Sequence, residues 1–412
     1  MRSMSTKQNM LINTGASLFY LLCNWVTTIL VITFSPSYSA AGTLAVAMAV
    51  GNIFATIMLF RARILQVTDA SEKTRSGHYV MQRVLTFLLA SIFCTVYSFC
   101  TVVVNDLLVV LLFLGFKAVE SFVDVFHGVD QKNNRFDLIG ISLMVRGFLV
   151  VISFCIGLLV FKSLTWSVLL MLMTTLTFTL LFDAVQSGKL DAVKPLFDVS
   201  ILRRIIILSS AGFFATLFAT FIVSFPRQLY ALLFGNEALG VYAALASPTV
   251  IIQALVSYLY APLIKPLSDH WESGDFPYMR RIILRVIAGA AVIVVLLSLF
   301  FALFGDPLFS FAFKKDVRSY LYLMNPLIIA TGCAALSSFF SDLLIIAKKF
   351  KQVFIVNIAG LLVMFGSVYF FLNEQGANGI SYTVIVSYAV VILSGAVIYL
   401  FAERDKREKI LS

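Results

Sequence analysis

Charge is scarce in this chain. Only 13% of its 412 residues are Asp, Glu, Lys or Arg, whereas 60% are hydrophobic, and the mean hydropathy is +0.96. A water-soluble fold of this length is excluded, because too little polar sequence remains to cover it. Catalytic and metal-site signatures are also missing. No GxxxxGK[ST] loop occurs, so the chain is not an ATPase carrying its own motor, and no zinc-protease motif occurs. The five cysteines (Cys23, Cys94, Cys100, Cys155, Cys333) form no CxxC pair and fall in apolar runs, where they read as packing residues, with no metal expected. The first external loop, Ser35-Pro36-Ser37-Tyr38-Ser39, has no acid. The acids Asp106, Glu237, Asp306, Asp316 and Glu374 are scattered among other short loops, which weighs against a membrane glycan polymerase or ligase. Alternating β-barrel patterning is absent, so the spans are helical.

What remains is membrane-length helix. A hydrocarbon core of roughly 30 Å needs about 20 apolar residues per span. Twelve segments qualify: 11–34, 40–60, 81–104, 107–128, 137–161, 164–182, 205–225, 239–263, 282–304, 320–346, 352–372 and 378–402. The first run is too long for a signal-peptide core and reads as an anchor. The formal charge of +10 follows topology and does not mark a nucleic-acid surface. With the N-terminus inside, 24 of the 31 Lys and Arg fall on the cytoplasmic side, Arg2, Lys73 and the tail at 404–412 among them, while Lys162, Arg227, Lys314, Lys315 and Arg318 fall outside. Some attraction to anionic lipid follows from the same distribution. The expected fold is therefore an all-α polytopic membrane protein with both termini cytoplasmic. Its expected parts are a six-helix lobe at 1–183, a cytoplasmic linker at 184–204, a second six-helix lobe at 205–403 and the basic tail. Weak internal similarity agrees with two halves: Phe34-Ser35-Pro36 before Ala41-Gly42 echoes Ser224-Phe225-Pro226 before Leu239-Gly240, and Phe122/Asp124 echoes Phe340/Asp342.

Against this background a few charges inside the spans stand out. Lys117, Glu120, Asp124 and His127 recur at i, i+3, i+7 and i+10, one stripe on one helix. Charges placed in hydrocarbon usually face a bundle interior or a polar pathway. Arg146 lies roughly 13 Å into the fifth span from its cytoplasmic end, and on the antiparallel fourth span Glu120 lies about 12 Å deep and Lys117 about 16 Å. Arg146 is therefore expected to reach Glu120, with Lys117 the less committed cation. An interhelical ion pair that only fixes packing is the competing reading for Glu120. Asp124, His127 and Asp342 are expected nearer the cytoplasmic interface. Arg227, after Pro226 at the expected outer end of the seventh span, is either an anion-binding fork or a snorkelling interfacial residue. Arg61 and Arg63 read as topology anchors, with Arg61 a weak ligand candidate.

The run Phe116-Lys117-Ala118-Val119-Glu120-Ser121, continued by Gly128-Val129-Asp130-Gln131 and by Ser142-Leu143-Met144-Val145-Arg146-Gly147, resembles helices four and five of Wzx-type polysaccharide flippases, members of the multidrug/oligosaccharidyl-lipid/polysaccharide (MOP) exporter superfamily. Phe225-Pro226-Arg227 and Leu239-Gly240-Val241-Tyr242 resemble that family's Pro-Arg and Leu-Gly-x-Tyr motifs. The resemblance implies a V-shaped, MATE-like bundle of two lobes in a bacterial inner membrane. It implies translocation of undecaprenyl-pyrophosphate-linked oligosaccharide to the outer leaflet, with other polysaccharide-assembly membrane proteins as partners. Lys117, Arg146 and Arg227 would then contact pyrophosphate or acidic sugar, and Glu120 and Asp124 would orient them or couple transport to H⁺ or Na⁺. A drug or metabolite antiporter of the same fold is the alternative.

Overall fold

The computed structural model describes all residues except 1–5, 36, 69–73, 261–262, 314–317 and 412. Arg2, Pro36, Lys73, Lys314, Lys315 and Asp316, named above, lie outside the described residues. Every regular element among the described residues is helical. The first part of the chain forms α1 (Thr6–Phe34), α2 (Ser39–Leu59), the short α3 (Ala62–Thr68), α4 (Ser76–Thr101), α5 (Val104–Lys132), α6 (Phe136–Leu159), α7 (Leu164–Phe178) and α8 (Ala184–Gly188). A π-helical turn, Thr179–Asp183, joins α7 to α8. The remainder forms α9 (Val199–Phe234), α10 (Asn236–Ala246), α11 (Val250–Tyr260), α12 (Ile264–Ser273), α13 (Phe276–Phe313), α14 (Met324–Ile346), α15 (Phe350–Gln375) and α16 (Asn378–Leu411).

Ten of these helices are long and apolar enough to cross a membrane. Two further spans bring the total to about twelve, and both depart from plain apolar helix for a chemical reason. Helix α5 has the length but carries Asp106, Lys117, Glu120, Asp124, Asp130 and Lys132. Helices α10 and α11 are one span broken by a 3₁₀ turn at Ser247-Pro248-Thr249, where Pro248 cannot donate a backbone hydrogen bond.

Two compact units are present: residues 1–220 with 231–240, and residues 221–230 with 241–412. In the first, α2 packs on α4 and α5, α5 on α4 and α7, and α7 on α6. In the second, α11 packs on α13 and α14, α14 on α13 and α16, and α16 on α15. The order of pairings is the same, as expected of an internal structural repeat. Small residues make the close approaches, because lipid offers helices no hydrophobic drive to associate and packing must supply it. A Cβ on Gly157 would strike the backbone of Ser167, and one on Gly360 would come within 3.1 Å of the Ser387 carbonyl.

Helix α9 corrects one expectation. The seventh span does not end at Pro226; the proline sits inside a helix of 36 residues that runs to Phe234. Membrane helices tolerate interior proline when neighbours satisfy the freed backbone groups. The chain after it, 231–240, belongs to the first unit. There Thr43 Oγ1 donates to Asp106 Oδ1 at 2.8 Å, and the Asn236 amide donates to the other Asp106 oxygen and to Thr43. Gly42 lies against the Asn236 carbonyl and Gly240 against the Tyr38 carbonyl, so neither position has room for a side chain. At the opposite end the 189–198 segment is tied down: the Leu196 amide donates to the Gly77 carbonyl at 3.0 Å, and Asp198 caps α9 by accepting from the Ser200 and Ile201 amides.

Gly42→Val should therefore lower the apparent unfolding midpoint of the purified protein in detergent, with a cost of about 1–3 kcal/mol for overpacking. An unchanged midpoint would mean that the 231–240 segment is not seated on α2.

Candidate functional site

Helix α5 holds the sequence-predicted stripe, but the structure divides the stripe among three clusters. Lys117 lies near the middle of the helix, about 20 Å from either end. Its Nζ is 2.6 Å from Glu120 Oε2, an i,i+3 pair with both side chains about one-fifth exposed. The rings of Phe113 and Phe116 lie 5.5 Å from the ammonium, and a Cβ on Gly51 of α2 would stand 3.2 Å from the Lys117 stem. The other Glu120 oxygen accepts the Tyr20 hydroxyl of α1. Lys117 is thus committed to Glu120, and Arg146 does not pair with Glu120 as the depth arithmetic led one to expect. Depth gave the right level along the helices but not the direction in which the guanidinium leaves α6.

Asp124 forms the second cluster. It is not a solvated interfacial acid: Oδ1 accepts from Arg63 Nη1 at 2.9 Å and Oδ2 from Arg83 Nη2 at 3.0 Å. Arg83 is fully buried, and its Nη1 donates to the Met58 carbonyl, which Thr86 Oγ1 also reaches at 2.9 Å. Met58 is in the last turn of α2, where carbonyls lack helical partners. Arg63, expected as a topology anchor, and Arg83 therefore fix α2, α3, α4 and α5 together. Gly128 and Gln131 complete this joint. Gln131 accepts from Arg63 Nη2 at 3.1 Å, while the absence of a side chain at Gly128 lets Gln66 of α3 reach the Val125 carbonyl at 3.0 Å. Arg61, at φ +51°, donates to Thr216 at 3.3 Å and lies over Gly212 of α9.

The third cluster gathers His127, Arg146 and an acid that the sequence reading left at the edge of the linker, Asp183. His127 is 4% exposed, so it is buried among protein groups and not solvated. Its Nε2 lies 3.0 Å from Ser142 Oγ and 3.8 Å from Asp183 Oδ1. Arg146 Nη2 donates to Asp183 Oδ2 at 2.6 Å and to Thr179 Oγ1 at 3.1 Å, and its guanidinium stands 5.9 Å from the Phe178 ring. Arg146 is 1% exposed, yet its Nε and Nη1 have no partner. The π turn places Asp183 here, and such widened turns recur at functional sites. One sequence signal could have found it: Thr175, Thr179 and Asp183 repeat at four-residue spacing on one face. Asp130, also buried, accepts from Ser187 of α8 at 2.9 Å. Gly147 brings Phe19 and Cys23 of α1 onto α6, beside Arg146.

The remaining candidates belong to the second unit. Arg227 lies within α9, not at its end, with its guanidinium 5.9 Å from the Tyr242 ring and Nε unpartnered. The Tyr242 hydroxyl is 3.0 Å from Ser381 Oγ. Gln228, fully buried, has no partner for either amide atom. Asp342 is half-buried on α14. Among the described residues no group of His, Cys, Asp and Glu could hold a metal ion.

No family model matches the chain. Solved structures do. An inward-facing multidrug-resistance MATE family transporter of the MOP superfamily superposes with a TM-score of 0.75 at 13% identity, covering 96% of this chain and 99% of that one. The chain shares the fold of that transporter. The lipid II flippase MurJ, inward closed, superposes with a TM-score of 0.73 at 10% identity over 93% of this chain and 86% of its own. By sequence, the chain is 22% identical over 351 residues to the Staphylococcus aureus capsular polysaccharide biosynthesis protein CapF, across 83% of this chain and 87% of that protein. The expected all-α, multi-pass, MATE-like architecture agrees with these findings.

In this MOP fold, removing Asp124 strands Arg83 as an unpaired buried charge. Asp124→Leu should cost about 3 kcal/mol or more in detergent unfolding, and the double variant Arg83→Met/Asp124→Leu should recover much of that loss. Additive losses in the two variants would contradict the pairing.

Proposed function

We propose that this protein is a flippase that carries an undecaprenyl-pyrophosphate-linked oligosaccharide from the cytoplasmic to the outer leaflet of a bacterial inner membrane. The observation that carries this reading is Arg146, a buried guanidinium in mid-membrane sequence whose Nε and Nη1 have no protein partner. Lys117, on α5 of the same unit, is a second contact candidate. A pyrophosphate loses its hydration on entering hydrocarbon, and a fork of N–H donors offsets that loss while matching phosphate geometry. Arg227, with its own open Nε, is a further contact candidate. Glu120, itself hydrogen-bonded by the Tyr20 hydroxyl, holds the Lys117 ammonium in place.

The cargo's sign also separates this reading from a drug antiporter of the same fold. A cationic drug needs an available carboxylate, whereas Glu120, Asp124 and Asp183 each already face a Lys or Arg. The open donors are cationic, so the site suits an anion. The likeness to the CapF capsular protein supports a surface polysaccharide as the cargo's destination, and other polysaccharide-assembly membrane proteins are its natural partners. The work of transport is alternate exposure of the site to the two faces of the bilayer.

Depletion of the protein should make lipid-linked oligosaccharide accumulate on the cytoplasmic leaflet. Lys117→Gln and Arg146→Gln should each reduce export of the polysaccharide at least tenfold while membrane abundance stays near normal. Accumulation on the outer leaflet, or full export by both variants, would overturn the proposal.

A further inference from the structure

The third cluster contains more titratable chemistry than packing requires. Arg146 has five N–H donors, and only those on Nη2 are used. Its counterion Asp183 is split in its attachments: Oδ2 holds Arg146 at 2.6 Å, while Oδ1 faces His127 Nε2 at 3.8 Å, too long for a hydrogen bond. His127 instead uses Ser142 Oγ at 3.0 Å. An imidazole and a carboxylate 3.8 Å apart lie within ion-pair distance, so a charge on either acts directly on the other.

We propose that the Asp183–His127 pair is a proton-binding site, and that one proton bound there releases Arg146 to hold the phosphate of the cargo. The inference rests on the headgroup reading above. With neutral imidazole and ionised carboxylate the pair carries one negative charge and neutralises Arg146. One proton from water brings the pair to zero, whether it sits on Asp183 as the acid or on His127 as an imidazolium drawn toward Oδ1. No other bond changes, and the proton returns to water when the pair is discharged. The guanidinium is then left uncompensated in a medium where an unpaired charge is expensive, and an anion at its open Nε and Nη1 becomes favourable. Proton and phosphate therefore bind together, and each strengthens the other by the same factor.

The groups facing the pair fit this assignment. From α5 comes Asp130, held by Ser187; from α3 comes Arg63, held by Asp124; from α6 come Ser142 and Arg146; and Arg135 is occupied by Asp137 at 2.8 Å. On α1, Tyr20 is engaged by Glu120. Arg63 and Arg135 thus have carboxylates of their own, and Arg146 is the cation that depends on Asp183.

The test is calorimetric titration of the full-length protein in detergent with farnesyl pyrophosphate, in two buffers of different ionisation enthalpy, which counts protons taken up per ligand. The unsubstituted protein should take up about one more proton than Asp183→Asn, and its affinity should fall by up to about tenfold per pH unit as pH rises, more steeply than that of the variant. Equal proton counts would overturn the inference. If Lys117→Gln/Arg146→Gln also lost binding, the headgroup reading would survive that failure; if this double variant bound as tightly as the unsubstituted protein, the headgroup reading itself would fall. Asp183→Asn strands Arg146 and could fail to accumulate, in which case infrared difference spectra of the unsubstituted protein decide. Addition of farnesyl pyrophosphate should then raise a protonated-carboxyl or imidazolium band, and the absence of both would refute the proton site.

Discussion

A charge in hydrocarbon must be paired or must serve a polar cargo, and this constraint organises the first unit. Four helices meet α5 through its charged face: α1 at Glu120, α3 and α4 at Asp124, and α6 at His127. At Asp124 two guanidinium groups neutralise the charge, and at Glu120 and His127 the Tyr20 and Ser142 hydroxyls hydrogen-bond polar groups that would otherwise be stranded in the membrane. Pairing is complete at Asp124, which has two guanidinium partners, and incomplete at Arg146, which retains open donors. The first is an anchor, and the second is the proposed headgroup site.

The motif residues acquire distinct physical roles on this scaffold. Gly128 and Gln131 seat α3, Gly147 admits α1 against α6, and Gly240 lets the chain after α9 lie against Tyr38. These glycines act through the volume they leave free, which is how small residues allow membrane helices to approach. Ser142 and Arg146 sit four apart on α6 and both address the same carboxylate cluster, Ser142 through His127. A pattern that looks like a binding signature is thus half architecture.

Fold class is legible because hydropathy alone counts spans; the two that fail a simple apolar count are α5, which carries six charged residues, and α10–α11, which a 3₁₀ turn at Pro248 splits into two short helices. The stripe on α5 was legible from its spacing. Its partners were not, since helical periodicity fixes which residues share a face but not which neighbour that face meets. Depth alone pairs Arg146 with Glu120, whereas the π turn after α7 carries Asp183 to it. Tyr20 gave no signal at all, being one aromatic among many in an apolar helix. Pro226 was read as a helix end because proline removes a donor, yet α9 continues past it, as helices in a membrane can.

Direct reconstitution tests the central claim, that the cations of the first unit carry an anionic lipid headgroup across the bilayer. Purified protein is placed in vesicles whose inner and outer leaflets both contain a fluorescent polyprenyl-pyrophosphate-linked oligosaccharide, and a membrane-impermeant reagent destroys the fluorescence of molecules exposed outside. The account predicts that protein-containing vesicles lose nearly all of their signal as inner-leaflet lipid flips outward, and that vesicles with Arg146→Gln protein lose only about half, as protein-free vesicles do. Loss of only half the signal with the unsubstituted protein, or complete loss with Arg146→Gln, would contradict it.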